Sequence, residues 1–167
     1  MQKLTLTFQN TIGPIPVVCF PLTSGKSIYA IIDTGSDSTL YDATAKEQYP
    51  EMILKSKTMG TCNVIGVNSE SEVEVIMSGL KLDIQREAEE NLAVKLVAFE
   101  HKDFCERMKP LIEREGIKEN VPLLIGSDTL TRFNAKIDMK KKIICLTILK
   151  PRKKVKKKKA AEAASFS

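Results

Sequence analysis

One stretch of the chain combines residue types that can do chemistry: Ala30-Ile31-Ile32-Asp33-Thr34-Gly35-Ser36-Asp37-Ser38-Thr39. An apolar run leads into an acid, then a small hydroxyl residue, then glycine. A strand that ends this way leaves a carboxylate at the rim of a buried core. Low dielectric favours the protonated form of a carboxyl group, which brings such groups toward acid–base work. Glycine at the next turn lets the backbone bend tightly and approach a partner closely. A later segment repeats the theme. Leu123-Leu124-Ile125-Gly126 is an apolar run ending at glycine, followed by Ser127-Asp128-Thr129-Leu130 and then Asn134-Ala135-Lys136-Ile137-Asp138.

The elements that must position these residues read mostly as strands. Residues 3–8 alternate polar and apolar, as a half-buried strand does. Pro14, Pro16 and Pro21 confine Val17–Phe20 to a short strand. Ser24-Gly25-Lys26 forms a hairpin turn into Ser27–Ile32, the strand that delivers Asp33. Thr39–Tyr41 is extended, and Ala43–Gln48 is one helical turn ended by Pro50. Residues 61–66 and 72–77 make a long hairpin with a polar tip around Gly66–Ser71. Ser78-Gly79 reads as a second turn, into the strand Leu80–Ile84, and Leu92–Phe99 is another strand. Lys102–Glu115 has helical spacing at Phe104, Met108, Leu111 and Ile112. There Pro110 predicts a break or two short helices, and Gly116 a stop. Residues 121–126 form a strand, and 128–133 a short helix capped by Ser127 or Asp128. Residues 135–139 and 143–149 form a final hairpin.

The ordered pair, apolar-apolar-Asp-Thr-Gly and a later apolar-apolar-Gly with a short helix, resembles the retropepsin-like aspartic proteases over roughly residues 3–149. The Ile-Gly-Ser-Asp-x-Leu form is similar to small bacterial and retroelement members. The resemblance implies a mostly β acid-protease barrel with one or two short helices, spanning residues 1–149. It implies that Asp33 is the catalytic aspartate, that the Thr34 hydroxyl ties two active-site loops together across a dimer, and that the Gly35 carbonyl lines the substrate cleft. Asp37 would bind substrate backbone, with local turn stabilisation as the alternative. Gly66, Val67 and Asn68 would belong to a flap over the peptide, and Gly126 would pack behind the active-site loop. Asp-Thr-Gly occurs once in this chain, so the second carboxylate of a catalytic pair would come from another copy. The chain departs from retroviral members at Ser127, where they commonly carry Arg, and in the length of the 102–115 helix. The implied function is an aspartic endopeptidase acting as a homodimer on a peptide or protein substrate. The alternatives are a silent dimerisation or peptide-binding module of the same fold, or a nucleic-acid-associated protein acting through the basic tail.

Composition bounds the other classes. The 167 residues suffice for one ordinary domain, and 43% are hydrophobic, a normal share for a soluble protein. No apolar run approaches the roughly 20 residues a bilayer span needs, and the N-terminus lacks the apolar core of a signal peptide. The expectation is a cytoplasmic protein without membrane contact. Cys19, Cys62, Cys105 and Cys145 are scattered, and His101 is the only histidine. That pattern predicts free thiols and no metal site, and no organic cofactor is implied. The net charge of +5 is an average of two unlike parts. Residues 150–167 hold eight basic residues and one acid, leaving 18 basic and 20 acidic residues in 1–149. The expectation there is a disordered Lys-rich tail able to contact nucleic acid non-specifically through phosphates.

Overall fold

The computed structural model describes residues 1–66 and 69–149. Val67, Asn68 and the whole Lys-rich tail lie outside the described residues. In chain order the elements are β1 (Gln2–Thr7), β2 (Val17–Pro21), β3 (Ser27–Ile32), β4 (Leu40–Asp42), α1 (Ala45–Gln48) and β5 (Ile53–Gly66). They continue with β6 (Ser69–Ile84), β7 (Leu92–His101), α2 (Phe104–Arg114), β8 (Leu123–Ile125), α3 (Ser127–Arg132), β9 (Lys136–Asp138) and β10 (Ile143–Ile148). The fold is mostly β.

Two sheets form. The smaller has the order β1-β10-β9, all antiparallel. The larger has the order β2-β3-β8-β4-β7-β6-β5. Within it β3 runs parallel to β8, and β4 lies antiparallel to β8 but parallel to β7. The large sheet curls back on itself at one end. Leu22, just past β2, bridges Ile84 at the end of β6. The Gln85 N–H donates to the Pro21 carbonyl at 2.8 Å, and the Thr23 N–H to the Asp83 carbonyl at 2.9 Å. Closure of this kind removes exposed strand edge.

Side-chain parity shows why β3 reads as a continuous apolar run. Ile28, Ala30 and Ile32 enter the main core with Phe20, Leu80, Leu123, Ile125 and the inward faces of β1 and β10. Ile31 enters a second cluster on the other face, with Val17, Leu124 and α2 residues Phe104 and Ile112. A strand covered on both faces has no polar side to show.

Helix α2 is one unbroken helix with Pro110 inside it, where the sequence predicts a break or two helices. Pro110 and Glu106, whose carbonyl loses its partner, both lie on the exposed side. An interior proline costs about 3 kcal/mol. Burying Phe104, Ile112 and the following Ile117 returns about 2 kcal/mol each, which outweighs it. The stop at Gly116 is as expected. The Ile117 N–H donates to the Ile112 carbonyl at 3.2 Å and the Gly116 N–H to the Glu113 carbonyl at 3.1 Å, a paired closure that ends helices.

Two further expectations need correction. Ser78-Gly79 makes no turn, and β6 runs straight through it to Ile84. Ser78 pairs with Ser56 on one side and Ala98 on the other, and Gly79 with Lys55 and Val97. Ladder bonds on both edges override a local turn preference. The N-cap of α3 is Gly126 rather than Ser127 or Asp128, and it has no side chain to give. The Asp128 carboxylate, inside the first turn, accepts the Thr129 N–H and reaches outside the helix to Thr39.

Candidate active site

The parallel pairing of β3 with β8 ends in register at Ile32 and Ile125, so the two loops that follow leave the sheet side by side. The Asp33 N–H donates to the Ile125 carbonyl at 3.0 Å, which extends the ladder by one rung. Asp33 is half-buried at this rim. Its Oδ1 accepts the Gly35 N–H at 2.9 Å, and its carbonyl accepts the Ser36 N–H at 3.3 Å. These bonds fold Asp33–Ser36 into a tight turn that fixes the carboxylate against its own backbone. Thr34 and Gly35 stand exposed on the crest.

Gly126 locks this loop from behind. Its ideal Cβ would sit 2.4 Å from the Ser38 carbonyl oxygen and 2.8 Å from that of Ser36, so only glycine fits the approach. The next residue, Ser127, donates its N–H to the Ser36 carbonyl at 2.7 Å. The position where retroviral members carry Arg therefore contributes a backbone bond here.

A polar knot completes the clamp, and sequence reasoning did not find it. Thr39 is fully buried. Its Oγ1 donates to Asp128 Oδ1 at 2.7 Å, accepts the Gly126 N–H at 3.2 Å and lies 2.6 Å from Thr129 Oγ1. Asp128 also accepts the Thr39 and Thr129 N–H groups at 3.2 and 2.7 Å. Each hydrogen bond to a charged acceptor is worth about 1.5–3 kcal/mol. The only trace of this knot in the sequence is the hydroxyl and acid at fixed places after each apolar run.

A buried carboxylate also escaped the sequence reading. Asp42, at the end of β4, accepts the Cys105 N–H in the first turn of α2 at 3.2 Å and the Thr44 hydroxyl at 2.6 Å. It docks α2 beside β4. Burial, with the negative charge of Asp42 adding to it, pushes the Cys105 thiol up to about 11. All four cysteines are free.

The structure thus brings Asp33, Thr34 and Gly35 together at one exposed turn. Asp37 lies on the same loop, exposed, and its carboxylate has no hydrogen-bond or ion-pair partner among the described residues. Gly66 ends β5, paired with Ser69. A cleft of about 380 Å³ opens beside Thr34, lined by Ser127, Leu130, Thr131, Asn134, Ala135 and Ile137. Among the described residues no group of three His, Cys, Asp or Glu side chains could hold a metal ion, and no helix is long and apolar enough to cross a membrane.

No family model matches the chain, and no curated protein matches it. Solved structures do. Conglutin gamma, a basic 7S globulin from lupine seeds, is 10% identical over 90% of this chain and 50% of its own, with a TM-score of 0.39. The retroviral protease-like domain of Ddi1 from Leishmania major is 12% identical over 77% of this chain and 80% of its own, with a TM-score of 0.35. The chain is also similar to a retropepsin-like aspartic protease from Rickettsia conorii, 12% identical over 87% of this chain and 90% of that one, with a TM-score of 0.43.

Proposed function

We propose that this chain is an aspartic endopeptidase whose active form is a homodimer, with residues 1–149 as the catalytic unit. The observation that carries the reading is the Asp33 turn. A half-buried carboxylate, fixed by the Gly35 N–H, stands at the rim of a clamped parallel strand pair. One such carboxyl group supplies an acid or a base, and peptide hydrolysis needs both at once. Two copies of Asp33 facing each other across a twofold axis would share one proton, because two close carboxylates resist ionising together. The ionised member takes a proton from water as the water oxygen bonds to the scissile carbonyl carbon. The protonated member gives its proton to the carbonyl oxygen. The C–N bond then breaks as the member that took the water proton gives it to the amine nitrogen and the other takes a hydroxyl proton of the gem-diol, which becomes the product carboxyl group.

The exposed Thr34 and the cleft beside it suit contact with the second loop of such a pair. In this reading the Gly35 carbonyl and Asp37 face the peptide backbone, and the β5/β6 hairpin, with Gly66, Val67 and Asn68 at its end, covers the bound peptide.

Cleavage of a diverse peptide pool, scanned from acidic to neutral pH, tests the proposal with Asp33→Asn as control. Wild-type cleavage that falls at least about a thousandfold in the variant supports it. No cleavage at any pH by protein shown to be dimeric overturns it.

A further inference from the structure

A directed chain of side-chain hydrogen bonds crosses the core between the strand that leaves the Asp33 loop and the root of the β5/β6 hairpin. Tyr41, on β4 two residues past Thr39, is 0% exposed. Its hydroxyl donates to Glu100 Oε2 on β7 at 3.1 Å and lies 2.6 Å from the Ser78 hydroxyl on β6. Ser78 is 1% exposed and lies 2.8 Å from the Ser56 hydroxyl on β5. At the other end Glu100 Oε2 accepts an ion pair from Lys46 Nζ on α1 at 2.5 Å.

Proton counting fixes the direction. Each hydroxyl has one hydrogen. Tyr41 spends its hydrogen on the carboxylate, so Ser78 donates to Tyr41 and Ser56 donates to Ser78. The run therefore reads Ser56 to Ser78 to Tyr41 to Glu100, with Lys46 closing the acceptor end. Bonds in series polarise one another, and removing any link takes a hydrogen-bond partner from a buried hydroxyl. Burial holds the Tyr41 phenol above its usual range, and the Glu100 partner holds the Lys46 ammonium above its own. Both groups thus keep their protons near neutrality.

The anchoring is confined to the root. Ser56 and Ser78 face each other in the β5/β6 ladder, and the register shifts between Thr58 and Gly60. Gly60 has φ +126°, a conformation open to glycine and rare for other residues. Such a bulge bends a strand and breaks its ladder locally. From Thr58 outward, among the described residues, the side-chain hydrogen bonds join the two strands to each other, Thr58 to Glu74 and Thr61 to Glu72. The β5 strand is the sheet edge and pairs with β6 alone.

We propose that the Tyr41 hydroxyl is a positioning group, which sets the angle at which the β5/β6 hairpin leaves the sheet relative to the Asp33 loop, with the Gly60 bulge as the joint beyond it. The inference rests on the reading of that hairpin as the cover of the peptide site. Tyr41 touches no substrate in this scheme. It acts through Ser78 and Ser56.

Hydrogen exchange of the full chain, read for Tyr41→Phe, Ser56→Ala and Glu100→Gln, tests it. Tyr41→Phe keeps the ring and removes one hydroxyl. The expected result is exchange about tenfold faster at the amides of Lys57, Thr58, Ile76 and Met77, with β3 and β8 unchanged. Ser56→Ala should do the same, and it carries the test if Tyr41→Phe fails to fold. Glu100→Gln keeps an acceptor and should stay within about twofold of wild type. Equal acceleration of β3 and β8, or no acceleration at the hairpin, overturns the proposal. In peptide cleavage, Tyr41→Phe should raise KM about fivefold or more with kcat nearly unchanged. A fall in kcat at constant KM assigns Tyr41 to the chemistry instead and also overturns the proposal. If the wild type cleaves no peptide, the catalytic reading fails, and exchange alone decides whether the chain of hydroxyls anchors the hairpin.

Discussion

The Asp33 loop and the β5/β6 hairpin are held by opposite kinds of bond. The loop is tied to residues about ninety positions away, through the Ile125 carbonyl, the Ser127 N–H and the Thr39–Asp128 knot. The outer part of the hairpin is tied to itself. It shows Met59 about half exposed to water and begins at the register shift between Thr58 and Gly60. Ties between distant segments make a rigid ledge, because moving one partner requires moving the sheet. Ties between adjacent strands leave an arm free to move as a unit.

The contrast can be broken most directly at Gly126. Gly126→Ala puts a methyl against the Ser38 backbone, which cannot step aside as a side chain would. Urea unfolding should show a loss of about 3 kcal/mol. A loss under about 1 kcal/mol would mean that the loop yields and is no ledge.

Thiol labelling sharpens the comparison next. Cys62 is exposed on the hairpin, and Cys105 is half-buried against Asp42 with its thiol at about 11. At pH 8 Cys62 should react about a hundredfold faster, and the Cys105 rate should keep climbing with pH up to about 11. Comparable rates would erase the difference between the two regions. The raised thiol also sets a sign for stability. In the unfolded chain it ionises near its ordinary 9.0, before the folded one does. Its contribution is full below pH 9 and is lost as pH rises toward 11.

Thr39→Val should cost about 2 kcal/mol, because Asp128 and the Gly126 N–H both lose a buried partner. A neutral result in thermal melts would demote the knot to decoration. Met59→Ser on the arm sits at the bottom of the scale. Its stability should stay within about 0.5 kcal/mol of wild type, and a larger loss would show that the arm packs against something.

What could be read in the sequence follows the same division. Strand β3, the Asp33 turn and the glycine after β8 were legible because each is written in consecutive residues. The Thr39–Asp128–Thr129 knot was not, because its members are separated by 89 and 90 positions and look like ordinary loop polars. Ser78-Gly79 misled for the converse reason. The dipeptide is a turn former by itself, and only the pairing of both its edges makes it strand. Pro110 carried a true local penalty that buried side chains elsewhere on α2 offset.

The parallel pairing of β3 with β8 also sets an order of events during synthesis. A nascent chain ending anywhere from Gly35 to Asn120 already contains Asp33, Thr34 and Gly35. It lacks the strand that extends their ladder and the glycine that seats their loop. Contacts between such distant segments form late and slowly, because a long intervening loop must close first. The ledge therefore comes into being only once β8 and Gly126 have left the ribosome. A product cut before β8 carries the acid but not the neighbouring strand and glycine that hold its turn in place.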